Sequence, residues 1–153
     1  MSEKTEKRKS NGVYYTPNDV SDFIVSNTLR ISLDNEDNNM YSTDECIKKI
    51  LKNKNKNKVI YEYNCIDPTC GSGDFIRSIL EIKLKAAKVN DEDSIIRVVK
   101  TIYGNDIDEE STDITKLRIY LLLSKYLKNE DGMVKVAKIL LKQLKFTAIV
   151  RTI

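Results

Sequence analysis

The chain has 153 residues, 32% of them charged, and its 26 Lys and Arg outweigh 23 Asp and Glu to a net charge of only +3. That length suits one domain with a real core, and so small an excess does not by itself announce nucleic acid. No apolar run reaches the roughly 18 residues of a membrane span, and three cysteines with no histidine are too few soft ligands for a structural zinc site, so a reduced, cytoplasmic, metal-free protein is expected.

Residues 1–11 read as a charged flexible tail without a signal-peptide core, residues 12–58 as an N-terminal helical segment, and residues 59–153 as an α/β domain. Thr16 as N-cap, Pro17 at the first helical position and Asp19 as a near capping box predict a helix over 17–31. Val20, Phe23, Ile24 and Ile31 would form its apolar stripe. A polar loop follows over 32–43, then a short helix over 44–52 and an Asn-Lys linker over 53–58. Six lysines and no acid lie between Lys48 and Lys58; the run could touch a phosphate backbone, but a solvated loop is the simpler reading. Val59 to Ile66 reads as a buried strand, followed by Asp67-Pro68-Thr69-Cys70-Gly71-Ser72-Gly73-Asp74-Phe75 and an apolar helix. A second short helix is expected near Asp93–Lys100, and Ile102 to Asp108 as the next strand. Asp108 would cap a long helix to about Leu127, with Glu109 and Glu110 in its first turn and a buried face of Ile114, Leu117 and Leu121. Gly132 would break the chain. Val134, Ala137, Leu140, Leu141 and Leu144 suggest one more helix, and Phe146–Val150 a final strand.

A strand that ends in an acid and a Gly-Ser-Gly turn, then opens a helix, is how an α/β sheet builds a cofactor cradle. The glycines bring backbone N–H groups close to a ligand at the carboxyl end of the strand. A lone Gly-x-Gly is more often an ordinary strand–helix turn. The phosphate loop needs Gly-Lys-Ser/Thr, and Gly73 is followed by Asp74; the dinucleotide fingerprint needs a third glycine where Ile76 stands. An acid inside the loop also disfavours a pyrophosphate.

Asp-Pro-x-Cys-Gly-Ser-Gly-x-Phe resembles the S-adenosylmethionine loop of adenine-N6 DNA methyltransferases from restriction–modification systems. Gly12-Val13-Tyr14-Tyr15-Thr16-Pro17 resembles that family's Tyr-Thr-Pro element, and Ile102-Tyr103-Gly104-Asn105-Asp106-Ile107-Asp108 resembles its second strand. The order of the three elements is that of the type I and type IIG subclass. The resemblance implies a Rossmann-like methyltransferase fold, incomplete here, with residues 59–153 as a partial cofactor-binding domain. It further implies S-adenosylmethionine contacts from Tyr15, Thr16, Pro17, Asp67, Thr69, Cys70, Gly71, Gly73, Asp106 and Ile107. Asp106 would hold the ribose hydroxyls, and Ile107 would face the adenine. Helix capping is the competing role for Asp106, an Asx turn for Asp67, and simple aromatic packing for Tyr14 and Tyr15. From Gly73 to Asp106 the chain runs 33 residues, against about 20 in the usual dinucleotide fold, which the extra helix near Asp93 would absorb.

The family's catalytic Asn-Pro-Pro-aromatic motif is missing. The two prolines are Pro17 and Pro68, and neither lies in such a sequence. Phe146–Val150 looks like the strand that would lead to the motif, unless it is an earlier strand of the sheet. No target-recognition segment or endonuclease domain is expected within these residues, and Glu81-Ile82-Lys83 reads as helix surface. The reading is thus a cofactor-binding portion of a DNA methyltransferase whose partners are DNA and a specificity or restriction subunit. A non-catalytic assembly module and an RNA or protein methyltransferase are the alternatives.

Overall fold

The computed structural model describes residues 16–34, 36–88 and 91–146. Its elements in chain order are α1 (Asn18–Ile31), α2 (Thr43–Lys52), α3 (Lys56–Tyr61), β1 (Cys65–Asp67), α4 (Asp74–Ala87), α5 (Glu92–Val99), β2 (Ile102–Asp106), α6 (Glu109–Leu123), α7 (Glu130–Gln143) and β3 (Leu144–Phe146). The strands form one parallel sheet in the order β1-β2-β3, with Asp67 opposite Gly104 and Asp106 opposite Phe146. Helices α4 and α5 make the first crossover and α6 and α7 the second, as parallel strands require. The architecture is α/β, as expected.

Among the described residues one face of the sheet is buried and the other is open. Ile102, Gly104 and Leu144 are buried, whereas Ile66 is 69% exposed and Lys145 is exposed. A Cβ on Gly104 would lie 2.9 Å from Leu144 Cδ2 and 3.3 Å from Ile76 Cδ1. The glycine thus lets α4 and β3 close on β2. Helix α4 is the centre of the core, burying Ile76, Ile79, Leu80, Ile82 and Leu84. Its Lys83 is also fully buried, donating to Tyr63 O at 2.8 Å and Thr101 Oγ1 at 2.7 Å. A single ammonium thereby ties α4 to the starts of β1 and β2.

Several boundaries differ from the sequence expectations. The strand expected from Val59 begins only at Cys65, because Val59 and Ile60 belong to α3. Both are buried although adjacent, a pattern that a helix end shares with a parallel strand covered on both faces, so adjacent burial by itself does not separate the two. Helix α1 starts one residue later than expected: Pro17 is its N-cap and no side chain caps it. Its buried face carries Ser21, Val25, Ser26 and Leu29, while Val20, Phe23 and Ile24 are exposed. Those inward serines let α1 approach α4 closely, with Ser21 Oγ 2.9 Å from Ser78 Oγ. Asp22 Oδ1 accepts from Arg77 Nη2 at 2.9 Å.

On α6 the buried residues are Thr112, Thr115, Ile119 and Leu123, and the expected inner leucines Leu117 and Leu121 face outward. The helix is apolar on both sides, so counting leucines selects the wrong face. It also ends at Leu123 rather than near Leu127. Gly132 lies inside the first turn of α7 instead of breaking the chain, and its N–H caps onto Asn129 Oδ1 at 2.6 Å. A Cβ there would come within 2.8 Å of Asn129 Oδ1 and 2.9 Å of Glu92 Oε2, so the glycine leaves room for the Asn129 cap and for the α5 carboxylate that accepts from Asn129 Nδ2. The last strand starts two residues earlier than expected and lies beside β2, which makes it the third strand in a row. Residues 147–150 lie outside the described residues.

Candidate cofactor site

The carboxyl ends of β1 and β2 are neighbours, so the loop after Asp67 and the acid Asp106 meet there. The loop is built bond by bond from main-chain groups. Asp67 Oδ1 accepts from Thr69 N–H at 3.1 Å, an Asx turn that starts the bend. Cys70 N–H donates to Asn105 O at 2.9 Å and Gly73 N–H to Cys70 O at 2.8 Å. Gly71 N–H reaches across to Asp106 Oδ2 at 2.7 Å. Gly71 and Gly73 have φ of 51° and 86°, the left-handed region that glycine enters without a Cβ penalty. Gly73 then serves as N-cap of α4.

Two groups on α6 hold the loop from behind. Thr115 Oγ1 donates to Gly71 O at 2.9 Å, and Arg118 Nη1 donates to Ser72 O at 2.6 Å. Arg118 Nη2 also bonds Asp74 Oδ1 at 2.9 Å, so the buried Asp74 charge is paired inside the protein. Neither Thr115 nor Arg118 was singled out from sequence. The available signal was a pair of threonines, Thr112 and Thr115, at helical spacing where an apolar helix would otherwise bury aliphatics.

Asp106 is half-buried and serves the fold with both oxygens, since its Oδ1 also accepts from Asp108 N–H at 2.9 Å. A carboxylate has about four lone-pair sites, so two acceptor directions remain for a ligand's hydroxyls. Ile107 beside it is 64% exposed, an apolar surface at the rim. Asp108 is the N-cap of α6 by position, but its side chain accepts from Ser111 Oγ at 2.6 Å and caps no backbone N–H.

Asp67 and Asp106 lie close enough to interact. Burial pushes the Asp67 carboxyl above its ordinary range, the Thr69 N–H opposes this, and the Asp106 charge adds to it. Burial likewise pushes the Cys70 thiol up to about 11, with Asp67 and Asp106 contributing. The rim of the loop is therefore electronegative, and a cation there would be stabilised.

Six of the ten sequence-predicted residues thus come together, Asp67, Thr69, Cys70, Gly71, Gly73 and Asp106, with Ile107 at their rim. Thr16 and Pro17 stand at the start of α1, which reaches α4 through the Ser21–Ser78 and Asp22–Arg77 pairs. Tyr15 lies outside the described residues. Of the six lysines from Lys48 to Lys58 all but Lys56 are exposed, and all of them precede β1 in the chain. A groove of about 500 Å³, lined by Ile24, Leu29, Cys65, Ile66, Pro68 and Phe75 among others, runs along the outer edge of β1. It borders Asp67 but not Gly71 or Asp106. Among the described residues no group of three or more His, Cys, Asp or Glu could hold a metal ion, and no helix is long and apolar enough to cross a membrane.

Comparison with known proteins gives this geometry its context. The profile of the N-6 DNA Methylase family matches residues 1–140. The chain belongs to that family. It is also 28% identical over 144 aligned residues to a protein of Methanocaldococcus jannaschii named as a type II restriction enzyme and methyltransferase. The alignment covers 76% of this chain and 12% of that relative, so the chain spans about an eighth of the relative's length. No solved structure matches. The resemblance drawn from the Asp-Pro-x-Cys-Gly-Ser-Gly-x-Phe loop is thereby borne out at the level of the family.

Proposed function

We propose that this chain is the S-adenosylmethionine-binding portion of a restriction–modification DNA methyltransferase that acts on adenine N6, and that its domain is part of a Rossmann-like fold. The observation that carries the reading is the Gly71 N–H to Asp106 bond, which sets a glycine loop and an acceptor carboxylate side by side at the ends of adjacent parallel strands. A Cβ on Gly71 would meet nothing within 4 Å, so the space in front of that glycine is open to a ligand. Asp106 would accept from the ribose hydroxyls, Ile107 would lie against the adenine, and the Asp67 side of the loop would face the methionine end. The acid-lined rim suits a cofactor bearing an ammonium and a sulfonium, and opposes one bearing a pyrophosphate.

The bound cofactor would supply an electrophilic methyl group. The chain's own residues would bind and orient it. Placing an adenine amine in line with the sulfonium is the remaining task, and the 153 residues hold no Asn-Pro-Pro-aromatic sequence for it. We therefore expect this chain alone to bind cofactor and to transfer no methyl group. Among the described residues the β1 edge is unpaired and one sheet face is uncovered, which supports a partial domain, because parallel sheets are normally covered on both faces. DNA as substrate, and a specificity or restriction subunit as partner, follow from the same reading, as does a cytoplasmic location.

Calorimetric titration tests it. S-adenosylmethionine and its demethylated product should bind, and NADH should not. Asp106→Ala should weaken binding by about 1.5–3 kcal/mol, the scale of hydrogen bonds to a charged group. Stabilisation by NADH, with none by S-adenosylmethionine, would sink the assignment.

A further inference from the structure

We infer that Arg118 is a positioning residue for the cofactor loop, locking the Ser72–Gly73 peptide so that the loop keeps its binding shape before any ligand arrives. The inference rests on the proposed cofactor site but adds a residue that no loop motif contains. Arg118 is 46 positions from Ser72 and 44 from Asp74, and it holds both with one guanidinium. Nη1 donates to Ser72 O at 2.6 Å and Nη2 to Asp74 Oδ1 at 2.9 Å.

The physical need arises from the glycines. Gly71 and Gly73 flank Ser72, and residues without a Cβ leave the peptides between them free to rotate. A trans peptide points its C=O and the following N–H in opposite directions. Fixing Ser72 O on Arg118 therefore fixes Gly73 N–H, which bonds Cys70 O at 2.8 Å. Thr115 Oγ1 on Gly71 O does the same one peptide earlier, so that Ser72 N–H points away from Thr115. Of the two helix groups, only the guanidinium spans loop and helix start, because its planar fork presents several donors at once. Its second bond goes to Asp74, whose side chain is 8% exposed, so the fork is anchored at a buried acid rather than left to solvent. The tie places Gly71, whose N–H meets Asp106, on a loop whose far end cannot drift.

The test uses Arg118→Lys, which keeps a charge for Asp74 but cannot reproduce the fork, alongside Arg118→Ala and the full chain. Amide hydrogen exchange is followed on the ligand-free protein, and S-adenosylmethionine affinity by calorimetry. Exchange at Gly71 to Asp74 should accelerate about tenfold or more in Arg118→Lys, the scale of losing one charge-assisted hydrogen bond. Exchange in the α4 core, at Leu80 to Leu84, should stay unchanged. Affinity should fall about tenfold in the same variant, while thermal unfolding without ligand moves little. Unchanged loop exchange would overturn the inference whether or not the cofactor assignment holds. Faster loop exchange with affinity equal to that of the original chain would also overturn it, because the loop's shape would then not matter to binding. If the unsubstituted chain binds no S-adenosylmethionine, the functional reading fails, and the exchange measurement still decides whether Arg118 positions the loop.

Discussion

Gly71→Ala and Gly73→Ala look alike in sequence and should differ sharply in stability. At Gly71 (φ 51°) a Cβ would find nothing within 4 Å. Only the left-handed backbone cost applies, about 1–2 kcal/mol. At Gly73 (φ 86°) the same atom would lie 2.6 Å from Thr115 Cγ2 and 2.8 Å from its Oγ1. Thr115 is fully buried, so it cannot swing aside, and an overpacking cost of about 1–3 kcal/mol joins the backbone one. Gly73→Ala should therefore lose roughly 2–5 kcal/mol against about 1–2 kcal/mol for Gly71→Ala. Urea unfolding followed by circular dichroism gives both numbers, provided the slopes agree. A third chain, Gly73→Ala with Thr115→Ala, locates the clash. Removing Cγ2 and Oγ1 leaves only Thr115 Cβ, 3.1 Å away, at the loss of the Gly71 O hydrogen bond. The double variant should be more stable than the sum of the single changes by about 1–2 kcal/mol. Equal losses at the two glycines, or strict additivity in the double variant, would refute the packing of the loop against α6.

Asp67→Asn keeps an acceptor for Thr69 N–H and removes a charge that burial and Asp106 disfavour. Since the folded carboxyl titrates above its ordinary 3.8, the folded chain holds more protons than the unfolded one between 3.8 and that raised value. Stability then falls as pH rises through this window. Thermal melts should show Asp67→Asn more stable than the original chain at pH 7, with the gain vanishing in acid; a loss at pH 7 would contradict the geometry. Lys83 is a base whose buried ammonium titrates below its ordinary 10.5, so its contribution to stability should increase as pH rises from that lowered value toward 10.5. Subtracting the same melts on Lys83→Met isolates this rise, and parallel curves would count against a buried ammonium at that place. With its thiol pushed up to about 11, Cys70 should react with iodoacetamide at pH 8 at least about a hundredfold more slowly in the native than in the urea-unfolded chain. Peptide mapping by mass spectrometry reads the ratio.

The glycine loop, the acid after β2 and the extra crossover helix were legible because each is encoded locally. Gly71 and Gly73 stand where φ is positive, Asp106 ends a short strand that opens on Ile102 and Tyr103, and Asp91 caps α5 by accepting from Ser94 N–H at 2.8 Å. The misread elements share another cause. Val59 to Ile66 is a short, mostly apolar run broken by Glu62 and Asn64, and such a run does not distinguish a helix end from a strand by periodicity. Leu117 and Leu121 have the spacing of a core face, yet the sheet side of α6 needs residues short and polar enough to meet a loop backbone. Gly132 reads as punctuation, whereas the structure sets it against both its own Asn129 cap and the Glu92 carboxylate of a helix far away in sequence. Thr115 and Arg118 belong to the same class, because their role exists only once β1 and β2 are paired.

That pairing also explains why an electronegative rim survives in a fold that it strains. Asp67 is held above its ordinary pKa, so the folded chain is less stable for its charge. Cations on neighbouring helices could have relieved it, but Arg118 is committed to Asp74 and Ser72, and Arg77 to Asp22 and Glu81. Asp106 spends its own oxygens on Gly71 and Asp108 N–H groups, which orient it without cancelling its charge. The fold thus fixes two acids at the mouth of one loop and spends its arginines elsewhere. A ligand that brings positive charge to that mouth recovers free energy that the empty fold forgoes, and one that brings phosphate loses more. The glycine spacing by itself cannot make that distinction; the acids beside it can.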